Sequence, residues 1–380
     1  MTNSKGGRTT RREIAVSTDV SRVRATTVVT AISLAAWAAH MASAATITVC
    51  PKGCDFTDIQ QAIDASTSGD IIEIAAGTYA PPATLTTNGK AITLRGATNA
   101  DGTPTTIIDG QGVRQVCRCD DGEGAATQFE NLVITGGRSA DGGGMYFLGS
   151  SPTLTNCTII GNTATSASPV DGGGGVWVSS SSARLTNCRI IANLAMHGGG
   201  LHMKSSYPIL TNCTISENTA AYIGGGVKIG GGSPTLTGCT ISGNATTLGH
   251  GMGGGVYVSS ASPTLTETRF CGNHASLSSQ VALDTGASLA GSGNCFAISC
   301  DDSDGDGWPD ECGTGGDGVR EVPGKYKTIE AAVLAAWPGD LVLVGAGTYT
   351  PAVTVNPMGK AISIRGATHA DGSPATVIDA

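Results

Sequence analysis

Between Cys300 and Cys312 the chain reads CDDSDGDGWPDEC. Asp302, Asp304 and Asp306 alternate, Gly307 follows, and Asp310 comes four residues after Asp306. Carboxylates at positions one, three, five and nine, glycine at six and the Trp308 carbonyl at seven match the first nine positions of an EF-hand-type calcium loop. The chemistry expected is Ca²⁺ coordination by oxygen alone. Gly313 stands where the bidentate glutamate of such loops would be, so modest affinity is expected. A second set of residues recurs at intervals. Tyr146, Trp177, His202, Lys228 and Tyr257 each follow the first apolar residue after a glycine run. Flat aromatic faces suit sugar C–H surfaces, so glycan binding is the chemistry expected of this set. Asp141, Asp171, His197 and His250 lie in the segments that border it. Carboxylates near a histidine could serve as acid and base, which makes Asp141, Asp171, His202 and Lys228 the candidates for catalysis.

A repeat must position this second set. The first apolar residues after the glycine runs are Met145, Val176, Leu201, Val227 and Val256, at steps of 31, 25, 26 and 29 residues. The phrases end on Asn162, Asn193, Asn218, Asn244 and Asn273, each 17 residues after its apolar start. All length variation therefore falls between the Asn and the next start, as in a solenoid whose fixed coil carries loops on one side. The fixed part reads as three short strands, GVWVS, ARLT and CRI in one copy, with Asn156, Asn187 and Asn212 as turn residues. That pattern predicts an all-β parallel β-helix with coils stacked ~4.8 Å apart.

Period-two alternation sorts the side chains. Val176, Val178, Leu185, Cys188 and Ile190 point inward. Leu154, Leu185, Leu210, Leu236 and Leu265 form one core ladder, and Cys157, Cys188, Cys213 and Cys239 form another, read as buried thiols. The asparagines at the ends of the phrases are expected in hydrogen-bonded ladders. The stripe from Tyr146 to Tyr257 points outward over roughly 19 Å, at one residue per coil. Outward Thr155, Thr186, Thr211, Thr237 and Thr266 are read as strand formers only.

Upstream, FTDIQQAIDAS places Phe56, Ile59 and Ile63 on one helical face, and Thr57 with Gln60 fits a capping box, so a helix is expected to cap the solenoid. Downstream, the coil from Val281 has no asparagine at the expected place. GDIIEIAAGTY at Gly69 returns as GDLVLVGAGTY at Gly339, and GKAITLRGATNADGTPTTIID at Gly89 returns at Gly359, both offset by 270. A second module thus starts near Val319. Ala380 falls before any glycine-run coil of that module, so this second β-helix is expected to be a truncated start. The second copy has Val322 and Gly324 at the offset positions of Lys52 and Cys54 and lacks Cys50 too. That joint loss suggests a Cys50–Cys54 disulfide. A Cys300–Cys312 disulfide could close the calcium loop.

Residues 1–44 read as a signal peptide. Arg8, Arg11, Arg12, Arg22 and Arg24 make a basic leader, an apolar stretch too short to span a bilayer runs from Thr26 to Ala39, and Ala42-Ser43-Ala44 has the form of a cleavage site. The expected order is then 45–298 β-helix, 299–318 calcium-binding linker and 319–380 second beginning. The chain carries 56 Gly with 14% charged and 4% aromatic residues, which disfavours long helices, and 40% hydrophobic residues, enough for a core. Its formal charge of −8 becomes −12 without residues 1–44. That acidity excludes nucleic acid as a broad electrostatic partner, and no segment of the mature chain is long and apolar enough to be transmembrane. The expected location is secreted or cell surface.

The motifs Gly174-Gly175-Val176 and Ile159-Ile160-Gly161-Asn162, with their equivalents in later coils, resemble those of the pectin-lyase-like right-handed parallel β-helix superfamily, in particular its exported bacterial surface proteins. The resemblance covers roughly residues 47–298 and 319–380. The Asp302–Asp310 loop is similar to thrombospondin type 3 and dockerin-like calcium repeats. This superfamily includes polysaccharide lyases, glycoside hydrolases and adhesins without chemistry, and the resemblance implies that its enzymes work in the outward groove after the variable loop. A pectate lyase would call for an arginine base there, and no arginine is read on the stripe. The expectation is an exported, calcium-stabilised β-helix with a glycan-binding or adhesive role. The alternative is a polysaccharide lyase or glycoside hydrolase using the groove.

Overall fold

Val176–Ser179, Arg184–Thr186 and Arg189–Ile191 are successive strands, and each pairs in parallel with the strand one coil later, at Leu201–Ser206, Ile209–Thr211 and Thr214–Ser216. Propagated along the chain, this pairing makes the solenoid. The computed structural model describes residues 44–380, apart from 167, 169–171, 285, 298, 301–318, 325, 337–340, 352–354, 358–361, 370, 372 and 380. The chain divides into Met1–Ser43 and Ala44–Ala380.

Four parallel sheets run along the solenoid. The first has nine strands, from Thr46–Val49 to Thr264–Thr266. The second also has nine, from Gly77–Tyr79 to Cys295–Phe296, and the third has eight, from Leu85–Thr86 to Val281–Leu283. The fourth departs from the expected three strands per coil. Arg138–Ser139, Thr163–Ala164, Leu194–His197, Thr219–Ile223 and Ala245–Thr246 pair in sequence, so part of each variable segment is itself an ordered rung.

Local chemistry explains the corners. Asn156, Asn187 and Asn212 sit at φ near +50°, the left-handed bend between the first and second sheets that asparagine tolerates. In GGG, Gly173 has φ +71°, a methyl on Gly174 would meet the carbonyl oxygens of Gly199 and Leu194, and one on Gly175 would press on the Asn193 amide. The run is thus fixed by close coil-to-coil approach as well as by turning. Asn162, Asn193, Asn218, Asn244 and Asn273 form the expected ladder, each Nδ2 donating to the next Oδ1 at 2.9–3.0 Å and also to a backbone carbonyl of the preceding coil. Gln280, not an asparagine, ends it by accepting from Asn273 at 2.6 Å.

The core follows the alternation. The leucine ladder from Leu154 to Leu265 is buried, and Cys157, Cys188, Cys213 and Cys239 are free, buried thiols that donate to carbonyls of the preceding coil. The Cys213 thiol is pushed up to about 12 by its hydrogen bond with Cys188 and by burial, which keeps it protonated and unreactive. Helix α1 spans Ile59–Ala65, with Ile59, Ala62 and Ile63 packed into the same core as Val49 and Ile72. Its N-cap is Asp58, whose Oδ1 accepts from Gln61 N at 2.9 Å, rather than Thr57 of the expected capping box. Residues from Val319 onward form α2 (Ile329–Ala335), a three-stranded and a two-stranded parallel sheet, and a separate core around Val322, Ile329, Val333 and Val342.

Candidate functional site

The third sheet positions the outward stripe. Tyr146, Trp177, His202, Lys228 and Tyr257 are register partners in five successive strands. Arg118 pairs with Tyr146 one coil earlier, so the stripe does carry an arginine, contrary to the sequence reading. The Arg118 guanidinium lies 4.6 Å from the Tyr146 ring centre, and the Tyr146 and Trp177 rings stack at 4.6 Å and 10°. At the other end Tyr257 donates to Asp284 Oδ2 at 2.8 Å, and burial together with that bond pushes the phenol up to about 12. Arg118 and Asp284 were missed because their coils lack the GGG signature. The alternation in Cys117-Arg118-Cys119, with both cysteines buried and the arginine outward, is the signal that could have placed the first.

The stripe is not an open groove. Trp177, His202, Lys228 and Tyr257 are only 5%, 1%, 5% and 6% exposed, and Tyr146 alone is half-buried. His197, on the fourth sheet, is buried and stacks on Tyr222 at 5.6 Å. Its pKa falls to about 4, because burial and then the Lys228 charge disfavour the imidazolium. Trp177 Nε1 and His197 Nδ1 are buried without hydrogen-bond partners among the described residues. Such orphaned polar atoms cost free energy and mark a place where polar ligands or water can be received.

Of the described acid–base candidates, His202 and Lys228 are register partners on adjacent coils, and Asp141 stands apart from them. Asp141 is half-buried and accepts from Gly172 N at 3.1 Å, while its carbonyl accepts from Gln115 Nε2. It sits beside the Tyr146 coil, two coils from His202 and three from Lys228, or ~10 and ~14 Å along the stack. His250 is exposed in a turn. Asp171 lies outside the described residues, as do Asp302, Asp304, Asp306, Trp308 and Asp310. Among the described residues no group of three or more His, Cys, Asp or Glu is placed to hold a metal ion. No described helix is long and apolar enough to cross a membrane.

The cysteines correct one pairing and bear out another. Cys50 and Cys54 are bonded, with Cα atoms 5.5 Å apart. Cys300 is bonded to Cys271, Cα atoms 5.1 Å apart, and not to Cys312. Cys271 ends a second-sheet strand, so this bond ties the linker's start to the last coils instead of closing the acidic loop on itself. Cys271 escaped the repeat analysis because its position holds Ile160, Ile191, Ser216 and Ser242 in the other coils.

No curated protein sequence matches the chain. Among solved structures it is similar to pectate lyase Pel9A, at 14% identity over 90% of this chain and 80% of that one, TM-score 0.37. A pectin methylesterase from Aspergillus niger matches at 16% identity over 68% and 90%, TM-score 0.39. A mannuronic acid specific polysaccharide family 6 lyase from human gut microbiota matches at 12% over 80% and 74%, TM-score 0.31. A model of the right-handed β-helix region matches residues 52–270 and 170–301. With its in-register parallel sheets and more than half of its length matched, the chain belongs to the right-handed β-helix region family.

Proposed function

We propose that this is an exported, non-catalytic β-helix of the cell surface or extracellular space that adheres to polysaccharide through its exposed faces. The burial of Trp177, His202, Lys228 and Tyr257 carries the reading. A lyase or hydrolase needs its base, acid and subsites open to a polymer, and here the richest set of such side chains is buried. Among the described residues Tyr207 and Tyr222, 58% and 42% exposed, present aromatic faces to sugar rings. The disulfides support an oxidising destination. In this proposal α1 closes one end of the first solenoid, residues 319–380 begin a second, and Asp302, Asp304, Asp306, Asp310 and the Trp308 carbonyl hold Ca²⁺ between them.

Two measurements test it. On a polysaccharide panel the protein should bind without releasing reducing ends or unsaturated products, and Tyr207→Ala with Tyr222→Ala should weaken binding by about 1–3 kcal/mol. Product release that disappears in His202→Ala or Lys228→Ala would establish the enzymatic alternative. Calorimetry with Ca²⁺ should give a Kd on the order of 10⁻⁴ to 10⁻³ M, lost in the Asp304→Ala/Asp306→Ala variant.

A further inference from the structure

Asp70 follows the turn after α1 and is buried, while Ala44 and Ala45 are exposed. Its carboxylate faces the start of the first strand. Ala45 N donates to Asp70 Oδ1 at 2.8 Å, and Thr67 donates to Oδ2 from its backbone N at 2.8 Å and from its hydroxyl at 3.0 Å. The Ala45 carbonyl accepts from Ile71 N at 2.8 Å, so Ala45 is held on both sides. Among the described residues Asp70 makes no ion pair. The nearest influence of opposite sign is Lys90, whose Nζ is engaged with the Ile63 and Asp64 carbonyls at 2.6 and 2.9 Å. The Asp64 carboxylate is turned to Gln60 and Asn88. A cationic donor would bind this carboxylate more strongly than a neutral amide does.

One sequence feature places a processing site next to this carboxylate. The Ala42-Ser43-Ala44 motif puts the scissile bond between Ala44 and Ala45. We infer that Asp70 is the built-in receptor for the N-terminus made by processing, forming an ion pair with the α-ammonium group of Ala45. Hydrolysis by a leader-cleaving protease breaks the Ala44 C–Ala45 N bond. The oxygen of one water molecule completes the Ala44 carboxylate, and Ala45 N takes up protons to become an ammonium. The amide donor that already points at Asp70 thus becomes a cationic donor without moving.

This inference rests on the export reading and makes processing a stabilising event. Hydrogen bonds from Thr67 and then Ala45 hold the Asp70 carboxyl below the usual range. It therefore stays ionised through mild acid. The ion pair raises the folded-state pKa of the amine above its unfolded ~7.7–8.0, so its stabilisation is complete below that range and is lost as pH rises through the folded value.

Mass spectrometry of the protein recovered outside an exporting host tests the processing itself. A chain beginning at Ala45 is expected, and an intact leader or a start several residues away would overturn the export reading. Independently, the chain beginning at Ala45 can be prepared by releasing it from a fusion partner, and its α-amine titrated by NMR. The amine should titrate above ~7.7–8.0, and Asp70→Asn should return it to that range. A single glycine added before Ala45 moves the amine away from an intact Asp70 and should do the same, which covers the case that Asp70→Asn fails to fold. An amine in the ordinary range in the chain beginning at Ala45, or one that the added glycine leaves shifted, would overturn the role of Asp70 even where processing at Ala44–Ala45 is found.

Discussion

The two beginnings of the chain repeat the same elements with different surroundings. Thr46–Val49 pairs with Ile71–Ile74, and Val319–Val322 pairs with Leu341–Val344. Val322 therefore takes the place of Val49, not of Lys52 as a uniform offset of 270 implies. From the N-caps onward, Asp58 and Thr328, the offset of 270 holds. The second connection between strand and helix is thus three residues shorter, and the extra residues of the first lie where the Cys50–Cys54 bond closes a small loop. The backbone bond behind both loops is kept: Phe56 N donates to Thr48 O, and Tyr326 N to Glu321 O. The second difference is stacking. Leu94 and Ile108 are fully buried under the next coil, whereas Ile364 and Ile378, at the same places, are 42% and 52% exposed.

The largest effect should come from putting a charge into the stacked and the open coil in turn. Leu210→Asp buries a carboxylate between Leu185 and Leu236, with no cation to pair it. Such a change costs roughly 3–5 kcal/mol or more, so β-type circular dichroism should be lost or the urea midpoint should collapse. Ile364→Asp, at a side chain 42% exposed, should cost about 1 kcal/mol or less. Equal losses in the two variants would break the comparison.

Next in size is the asparagine ladder, which only the fully stacked region has. Asn218 accepts from Asn193 N and Nδ2 and donates to Ile190 O and Asn244 Oδ1, all at 2.8–3.0 Å. Asn218→Ala leaves these buried groups unpaired, at roughly 1–3 kcal/mol each before relaxation or water entry. We expect a net loss of about 3 kcal/mol by urea unfolding, and increased amide exchange at Asn193.

These two sites show what the sequence could and could not convey. The leucine, cysteine and asparagine ladders were legible because a solenoid writes one contact many times, and a fixed 17-residue spacing leaves a single register. The fourth sheet was not, since Thr163–Ala164, Leu194–His197 and Thr219–Ile223 differ in length and share no pattern. Alternation correctly sent Trp177 and Lys228 outward from the core, but outward is not the same as exposed: both are buried. The Cys271–Cys300 bond was equally illegible, because Cys271 replaces a non-cysteine residue at its repeat position.

A pH series probes a buried histidine at lower energy. His197 is buried with its pKa lowered to about 4. The unfolded chain binds its proton near 6.5, so between about 6.5 and 4 the unfolded state holds more protons and stability falls as pH falls. The loss should be on the order of 2 kcal/mol by pH 4. His197→Phe keeps a ring on Tyr222 and should flatten the urea-midpoint profile across that window. A wild-type profile flat from pH 7 to 4.5 would mean that His197 is reached by solvent.

The smallest effect should belong to the loop that distinguishes the two beginnings. A disulfide stabilises mainly by restricting the unfolded chain, and the restriction grows with the length of loop enclosed. Cys50 and Cys54 are four residues apart, so the loop-closure contribution is about 2 kcal/mol at most. The loop also has other ties: Cys50 N donates to Phe56 O at 3.1 Å, and Asp55 accepts from Thr48 N and Oγ1 at 2.8 and 2.7 Å. The Cys50→Ala/Cys54→Ala variant should therefore fold and lose about 1 kcal/mol in urea. A third variant gives the comparison its sharpest form. Replacing Cys50–Asp55 by the three residues Pro323-Gly324-Lys325 of the second beginning removes both the disulfide and the extra length. If the bond exists to restrain those three residues, this shortened chain should recover the stability that the double alanine variant lost. If it remains as weak as the double variant, the disulfide instead anchors the strand end at Val49, and the second beginning must hold Val322 by packing alone.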